Sequence, residues 1–214
     1  MNEEQARESL VEYGRSLFQR GYSCGTSGNL SVRLPGDDGF LMSPTNISLG
    51  RLTATTLSRL AADGRHVAGA PPTKEAWLHL AMYAERPDDN AVVHLHSTYA
   101  TALSCCGDLP PDNAVPPLTP YVIMRVGRVA LVPYSRPGDT SAAGEIRRLA
   151  AAHRAVLLAN HGPVVAGRDL ETAVSAAEEL EETARLFFVL DGRSYRPLSR
   201  EQIEEVERVF GAAR

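Results

Sequence analysis

With 214 residues, 43% of them hydrophobic and 22% charged, the chain can bury one sizeable core but is short for two independent ones, so a single domain over residues 1–214 is expected. A net charge of −4 and a pI near 5.9 exclude a general attraction to nucleic acid or anionic membranes; an anionic ligand would need locally placed donors, and a small-molecule partner is expected. The acidic start Met1-Asn2-Glu3-Glu4-Gln5 lacks a stretch of signal-peptide type, and no run approaches the ~20 apolar residues of a membrane span, which points to the cytoplasm.

Residues 3–20 place Leu10, Val11, Tyr13, Leu17 and Phe18 at helical spacing with Gly21 as a stop, which predicts an amphipathic opening helix. A glycine-rich turn, Gly25-Thr26-Ser27-Gly28-Asn29, follows. Short runs at 30–34 and 39–43, split by Pro35-Gly36-Asp37-Asp38-Gly39, predict two strands joined by a turn, and Asp63-Gly64 marks another hairpin. After Pro71-Pro72-Thr73, residues 74–83 read as a helix with Trp77, Leu80 and Met82 available for packing. Residues 91–96 read as a buried strand. Further strands are predicted at 129–132, 155–159 and 164–166, and helices at 140–152 and 169–190. The proline-rich stretch 109–120 is expected to be an ordered loop, and 191–214 a C-terminal tail or helix. Strands and helices interleave throughout, as in an α/β chain, and no internal repeat is found.

The three cysteines are an odd number, and adjacent Cys105-Cys106 suit neither a disulfide framework nor a Cys-x-x-Cys zinc knuckle. Reduced thiols in the core are expected.

His94 and His96 stand two apart on the predicted strand, so their side chains leave one face about 7 Å apart at the backbone and can converge on one ion, unless one is simply a hydrogen-bonded core residue. His161 follows the run 155–159 and precedes Gly162-Pro163, which places a third imidazole at a strand end. Glu75, at the start of a helix, could complete a tetrahedral site or serve as acid and base. His66, His79 and His153 fall in a hairpin, a helix and a helix end, and are set aside as ligands. The Gly25–Asn29 turn, with the Thr26, Ser27 and Asn29 side chains, and Ser43-Pro44-Thr45-Asn46 could each cradle phosphate or be plain turns. Lys74 could add a point charge for a phosphate or carboxylate, or be an exposed helix-terminal lysine.

In this order, Gly25-Thr26-Ser27-Gly28-Asn29-Leu30-Ser31, Ser43-Pro44-Thr45, Pro72-Thr73-Lys74-Glu75, His94-Leu95-His96 and Asn160-His161-Gly162 resemble the motifs of the class II aldolase/adducin family, over roughly residues 5–190. The resemblance implies a three-layer αβα sandwich around a mostly antiparallel central sheet, assembled as a homotetramer with active sites at subunit interfaces. It implies one zinc ion per subunit held by His94, His96 and His161, with Glu75 as an acid/base that also binds metal before substrate arrives. It implies that Gly28, Asn29, Thr45 and Thr73 hold the substrate phosphate, which with the residue reading gives a substrate-binding set of Thr26, Gly28, Asn29, Ser43, Thr45, Thr73 and Lys74. Tyr121 falls where fuculose-phosphate aldolases carry an active-site tyrosine.

Lys74 before the glutamate, Val93-His94-Leu95-His96-Ser97-Thr98 and the run from Leu158 to Val165 look like the 3-oxo-tetronate 4-phosphate decarboxylase branch. That resemblance implies zinc-dependent decarboxylation of a 3-oxo-tetronate 4-phosphate to dihydroxyacetone phosphate and carbon dioxide through a metal-stabilised enediolate. The other readings are a class II sugar-phosphate aldolase of L-fuculose 1-phosphate type, a pentulose-phosphate 4-epimerase, where an aspartate would be expected in place of Glu75, and a non-catalytic adducin-like module.

Overall fold

The computed structural model describes residues 2–36, 39–136, 138–211 and 213; Asp37 and Asp38 of the first expected turn lie outside the described residues. Helix α1 (Glu3–Gln19) opens the fold behind a capping box, in which the Asn2 side chain accepts from the Gln5 N–H and the Gln5 side chain takes the Asn2 N–H. Its apolar stripe buries Ala6, Leu10 and Leu17.

Eight strands form one sheet: β1 (Asn29–Arg33), β2 (Phe40–Met42), β3 (Ser58–Leu60), β4 (His66–Ala68), β5 (Ala91–His94), β6 (Val129–Val132), β7 (Ala155–Leu158) and β8 (Gly162–Gly167). Their order is β4-β3-β2-β1-β5-β8-β7-β6, with every pair antiparallel except β6 and β7. Side-chain alternation splits the core in two. Leu30, Val32, Val93, Leu157 and Val165 face α1, α3 (Thr98–Ser104), α4 (Pro120–Arg125) and α6 (Leu170–Val189). Met42, Val92, Val156 and Val164 face α2 (Ala76–Glu85) and α5 (Ala143–Ala150), which contribute Leu78, Met82 and Ile146. The result is the expected three-layer αβα sandwich around a mostly antiparallel sheet.

Several local expectations need adjustment. Strand β5 stops at His94, because Leu95 turns into the chain that enters α3. The stretch 140–152 begins as a 3₁₀ turn, Thr140–Ala142, before α5. Helices α3 and α4 are additional, and α4 begins with the Thr119 side chain accepting from the Val122 N–H and with Pro120 in its first turn. The C-terminal stretch holds α7 (Arg200–Phe210), which rests on α4. The thiols are free but not in the core: Cys24 and Cys105 are exposed and Cys106 is half-buried. Among the described residues no helix is long and apolar enough to cross a membrane.

The central strands place the site. Asn29 pairs with His94 across β1 and β5, and His94 with Val164 across β5 and β8, so one end of three neighbouring strands collects polar residues among apolar ones. Two glycines allow this close approach. Gly28 (φ +76°) would bring a Cβ within 3.0 Å of the His94 carbonyl oxygen, and Gly162 (φ +146°) within 2.4 Å of the Leu95 carbonyl oxygen.

Candidate metal centre and its anion pocket

Three imidazoles and one carboxylate meet at this end of the sheet. His94 terminates β5, His96 follows it, His161 stands in the β7–β8 turn, and Glu75 is the N-cap residue of α2. His96 Nε2 lies 3.1 Å from His94 Nε2 and 3.0 Å from His161 Nε2. Glu75 Oε1 lies 3.1 Å from His161 Nε2 and Glu75 Oε2 3.4 Å from His94 Nε2. Their candidate ligand atoms all lie within 4.8 Å of one another.

The donor set fits a metal ion. His94 Nδ1 lies 2.9 Å from the Pro163 carbonyl oxygen, which can only accept, so Nδ1 carries the proton and Nε2 presents a lone pair to the cluster. Burial first, then the neighbouring His94 and His161, push the His96 imidazole down to about 4, so it is neutral at ordinary pH. Burial pushes the Glu75 carboxyl up, but its contacts with His161, His94 and the Asn29 amide outweigh this and hold the group well below the usual carboxylate range. Three imidazole nitrogens and a carboxylate converging within 4.8 Å make a candidate site for a divalent cation, with nitrogen ligands of the kind zinc takes.

Beside the cluster lies a cavity of about 300 Å³ lined by Thr26, Ser27, Gly28, Asn29, Pro44, Thr45, Asn46, Thr73, Lys74, Glu75, His96 and Gly138. The Ser43-Pro44-Thr45-Asn46 loop is held to the Pro71-Pro72-Thr73 segment by an antiparallel bridge between Pro44 and Pro72, with Thr45 N–H on the Pro71 carbonyl at 3.0 Å and Thr73 N–H on the Ser43 carbonyl at 3.3 Å. Thr26, Gly28, Asn29, Thr45, Thr73 and Lys74 all line that one cavity wall. Ser43 does not line that wall. It is buried, and its hydroxyl accepts the Leu30 N–H at 3.1 Å, so it fastens β1 to the following loop. Tyr121 is exposed on α4, beneath the Arg125 guanidinium, and does not line the cavity.

Sequence reasoning passed over two contributors. His79 is fully buried and bonds to Asn29 Oδ1 and, at 2.7 Å, to Ser31 Oγ. The segment after β6 supplies Gly138 to the cavity, and Ser135 and Arg136 to a small cleft behind Glu75 and His161. Asn46, in the turn expected to cradle phosphate, lines the cavity in a left-handed conformation (φ 60°). His79 had a signal, four residues after Glu75 on the same helical stripe; Arg136 and Gly138 had none in their local sequence.

Residues 8–188 match the Class II Aldolase and Adducin N-terminal domain. The chain is 50% identical over 201 residues to the 3-oxo-tetronate 4-phosphate decarboxylase of Haemophilus influenzae, covering 94% of this chain and 95% of that protein. It superposes on the crystal structure of YgbL from Klebsiella pneumoniae with a TM-score of 0.94 at 50% identity, covering 96% of this chain and 99% of the other. An L-fuculose 1-phosphate aldolase structure follows at a TM-score of 0.87 and 27% identity, covering 96% of each chain. With its ordered motifs, sheet and histidine cluster in agreement, this chain belongs to the class II aldolase/adducin family.

Proposed function

We propose that this protein is a zinc-dependent carboxy-lyase that converts a 3-oxo-tetronate 4-phosphate to dihydroxyacetone phosphate and carbon dioxide. The observation that carries this reading is the Glu75–His94–His96–His161 cluster opening onto a polar cavity whose rim bears Lys74. The near-full-length likeness to proteins named for this activity supports the same substrate.

His94, His96 and His161 would hold the metal, with Glu75 as a fourth, displaceable ligand. A divalent ion there supplies Lewis-acid stabilisation of negative charge developing on a ketone oxygen. The chain's own groups do the rest. Thr26, Gly28, Asn29, Thr45 and Thr73 bind the phosphate through backbone N–H groups and hydroxyls, and Lys74 pairs with the carboxylate as a compact charge. With both ends anchored, the bond between C1 and C2 breaks, carbon dioxide leaves, and the electron pair delocalises onto C2 and the C3 oxygen. Glu75 then delivers a proton to C2, which closes the balance and yields the ketone product. Substrate entering beside Glu75 would part it from the histidine cluster, leaving burial to push the carboxyl upward toward a range where it can carry that proton.

The same anchors would serve an aldolase, in which an aldehyde departs instead of carbon dioxide. A coupled assay for dihydroxyacetone phosphate with 3-oxo-tetronate 4-phosphates, and with L-fuculose 1-phosphate in parallel, decides. Rapid release of both products from the oxo acid is expected. Efficient cleavage of fuculose 1-phosphate with no carbon dioxide from any oxo acid would replace the decarboxylase by the aldolase.

Assembly as a homotetramer with sites at subunit interfaces completes the proposal. Exposed Phe18, Tyr121, Val189, Val209 and Phe210 support burial against other copies. Tyr121, apart from the cavity within one chain, would act at a site only from a neighbouring subunit. The free, partly exposed thiols support a reducing, cytoplasmic setting.

A further inference from the structure

A single file of buried hydrogen bonds runs from Glu75 into the interior between α2 and β1. Asn29 Nδ2 lies 2.7 Å from Glu75 Oε2, Asn29 Oδ1 meets His79 Nε2, His79 Nδ1 lies 2.7 Å from Ser31 Oγ, and Ser31 Oγ lies 2.8 Å from the Tyr83 hydroxyl. Asn29, Ser31, His79 and Tyr83 are all buried. Their meeting follows from two element periods. Residues 29 and 31 leave one face of the strand at about 6.7 Å spacing, while 75, 79 and 83 follow one stripe of the helix at about 6 Å, so the two rows stay in register.

The file has one polarity. An ionised carboxylate only accepts, so the Asn29 atom facing Glu75 is its NH₂ and the atom facing His79 is its carbonyl oxygen. That carbonyl forces the proton onto His79 Nε2. His79 Nδ1 is then bare and accepts from the Ser31 hydroxyl, whose oxygen in turn accepts from Tyr83. Reversing the file would turn the Asn29 carbonyl toward Glu75 Oε2, an acceptor against an acceptor unless that oxygen held a proton.

We propose that His79 is a positioning residue: as the Nε2–H tautomer it locks the Asn29 amide, whose NH₂ group then holds Glu75 Oε2 and fixes the orientation of the carboxylate, with Oε1 directed to the histidine cluster. Oε1 is the oxygen beside His161, away from the file. This assignment rests on Glu75 being the acid/base of the proposed reaction.

Nitrogen-15 correlation spectra of histidine-labelled protein, metal-stripped as well as loaded, test it directly, with the His79 signals identified by their loss in His79→Gln. A bare Nδ1 and a protonated Nε2 are expected; the opposite tautomer would overturn the proposal. In steady-state assays His79→Leu should lower kcat by about 10–100-fold with KM and metal content close to wild type. His79→Gln, whose amide can still donate to Asn29 Oδ1, should recover much of that loss. A wild-type kcat in the leucine variant, or a folded, metal-loaded glutamine variant with no recovery over it, would sink the assignment. Should His79→Leu not fold, the tautomer and the glutamine variant still decide. Unchanged turnover in Glu75→Gln beside the expected tautomer would instead remove the acid/base reading and leave the polarity of the file standing.

Discussion

Glu75 Oε1 and His161 Nε2 lie 3.1 Å apart although 86 positions of sequence separate them, which joins the N-cap of α2 to the β7–β8 turn at one point. A change on either side is therefore felt by the other, and the site responds to substitution as a unit.

Replacing His96 by Ala removes the nitrogen that stands 3.0–3.1 Å from both of its neighbours. Metal content is expected to fall from about one ion per chain to near zero, with turnover lost in parallel, as measured by elemental analysis and the coupled assay. Full occupancy with intact activity in this variant would move the metal elsewhere.

Glu75→Gln keeps the volume and the contact with Asn29 but removes the titrating proton. Turnover should drop by roughly 10²–10⁴-fold while much of substrate binding and metal remains. A variant as fast as wild type would leave proton delivery to water or to Tyr121 of another copy.

Lys74 lines the cavity, and the proposed oxo acid carries one more anionic group than a sugar phosphate. Lys74→Ser is expected to weaken kcat/KM for the 3-oxo-tetronate 4-phosphate by about 1.5–3 kcal/mol, the range for a hydrogen bond to a charged group, with fuculose 1-phosphate a poor substrate throughout. Equal rates for wild type and variant would take the carboxylate away from Lys74.

Burial pushes His79 down to about 3 and, with its histidine neighbours, His96 down to about 4, against 6.5 for a free imidazole. In the metal-stripped protein the folded state keeps both rings neutral while the unfolded chain takes up protons below 6.5. Their contribution to stability is thus complete above 6.5 and declines as pH falls toward 4 and 3. Urea midpoints should decrease over that window; a midpoint that is flat or rises on acidification contradicts the shifts.

Much of this was legible from sequence because the clustered residues sit on strongly punctuated segments. His94-Leu95-His96 ends an apolar run, His161 stands before Gly162-Pro163, and Glu75 follows Pro72-Thr73, so chain direction and spacing carried them. The opening helix and the strand framework were readable for the same reason. Helix α3 was not, since its first N–H groups are satisfied from afar: Glu181 on α6 accepts from Tyr99 at 2.9 Å and Ala100 at 2.7 Å. Helix α4 did carry a local signal in Thr119-Pro120, masked by the prolines before it. Ser43 looked like a phosphate ligand because a buried hydroxyl serving one backbone N–H has the same sequence signature as one serving an anion.

The β5–β8 pairing brings His96 to His161 across 65 positions of chain, with β6 and β7 formed in the interval. Closing so long a loop costs chain entropy before any local contact repays it, and it places the site among the non-local contacts that slow folding. His94 and His96 lie on one short segment, but the third imidazole arrives only with the assembled sheet. During refolding, helix signal should therefore return ahead of activity, and the docking of His161 sets when the enzyme switches on.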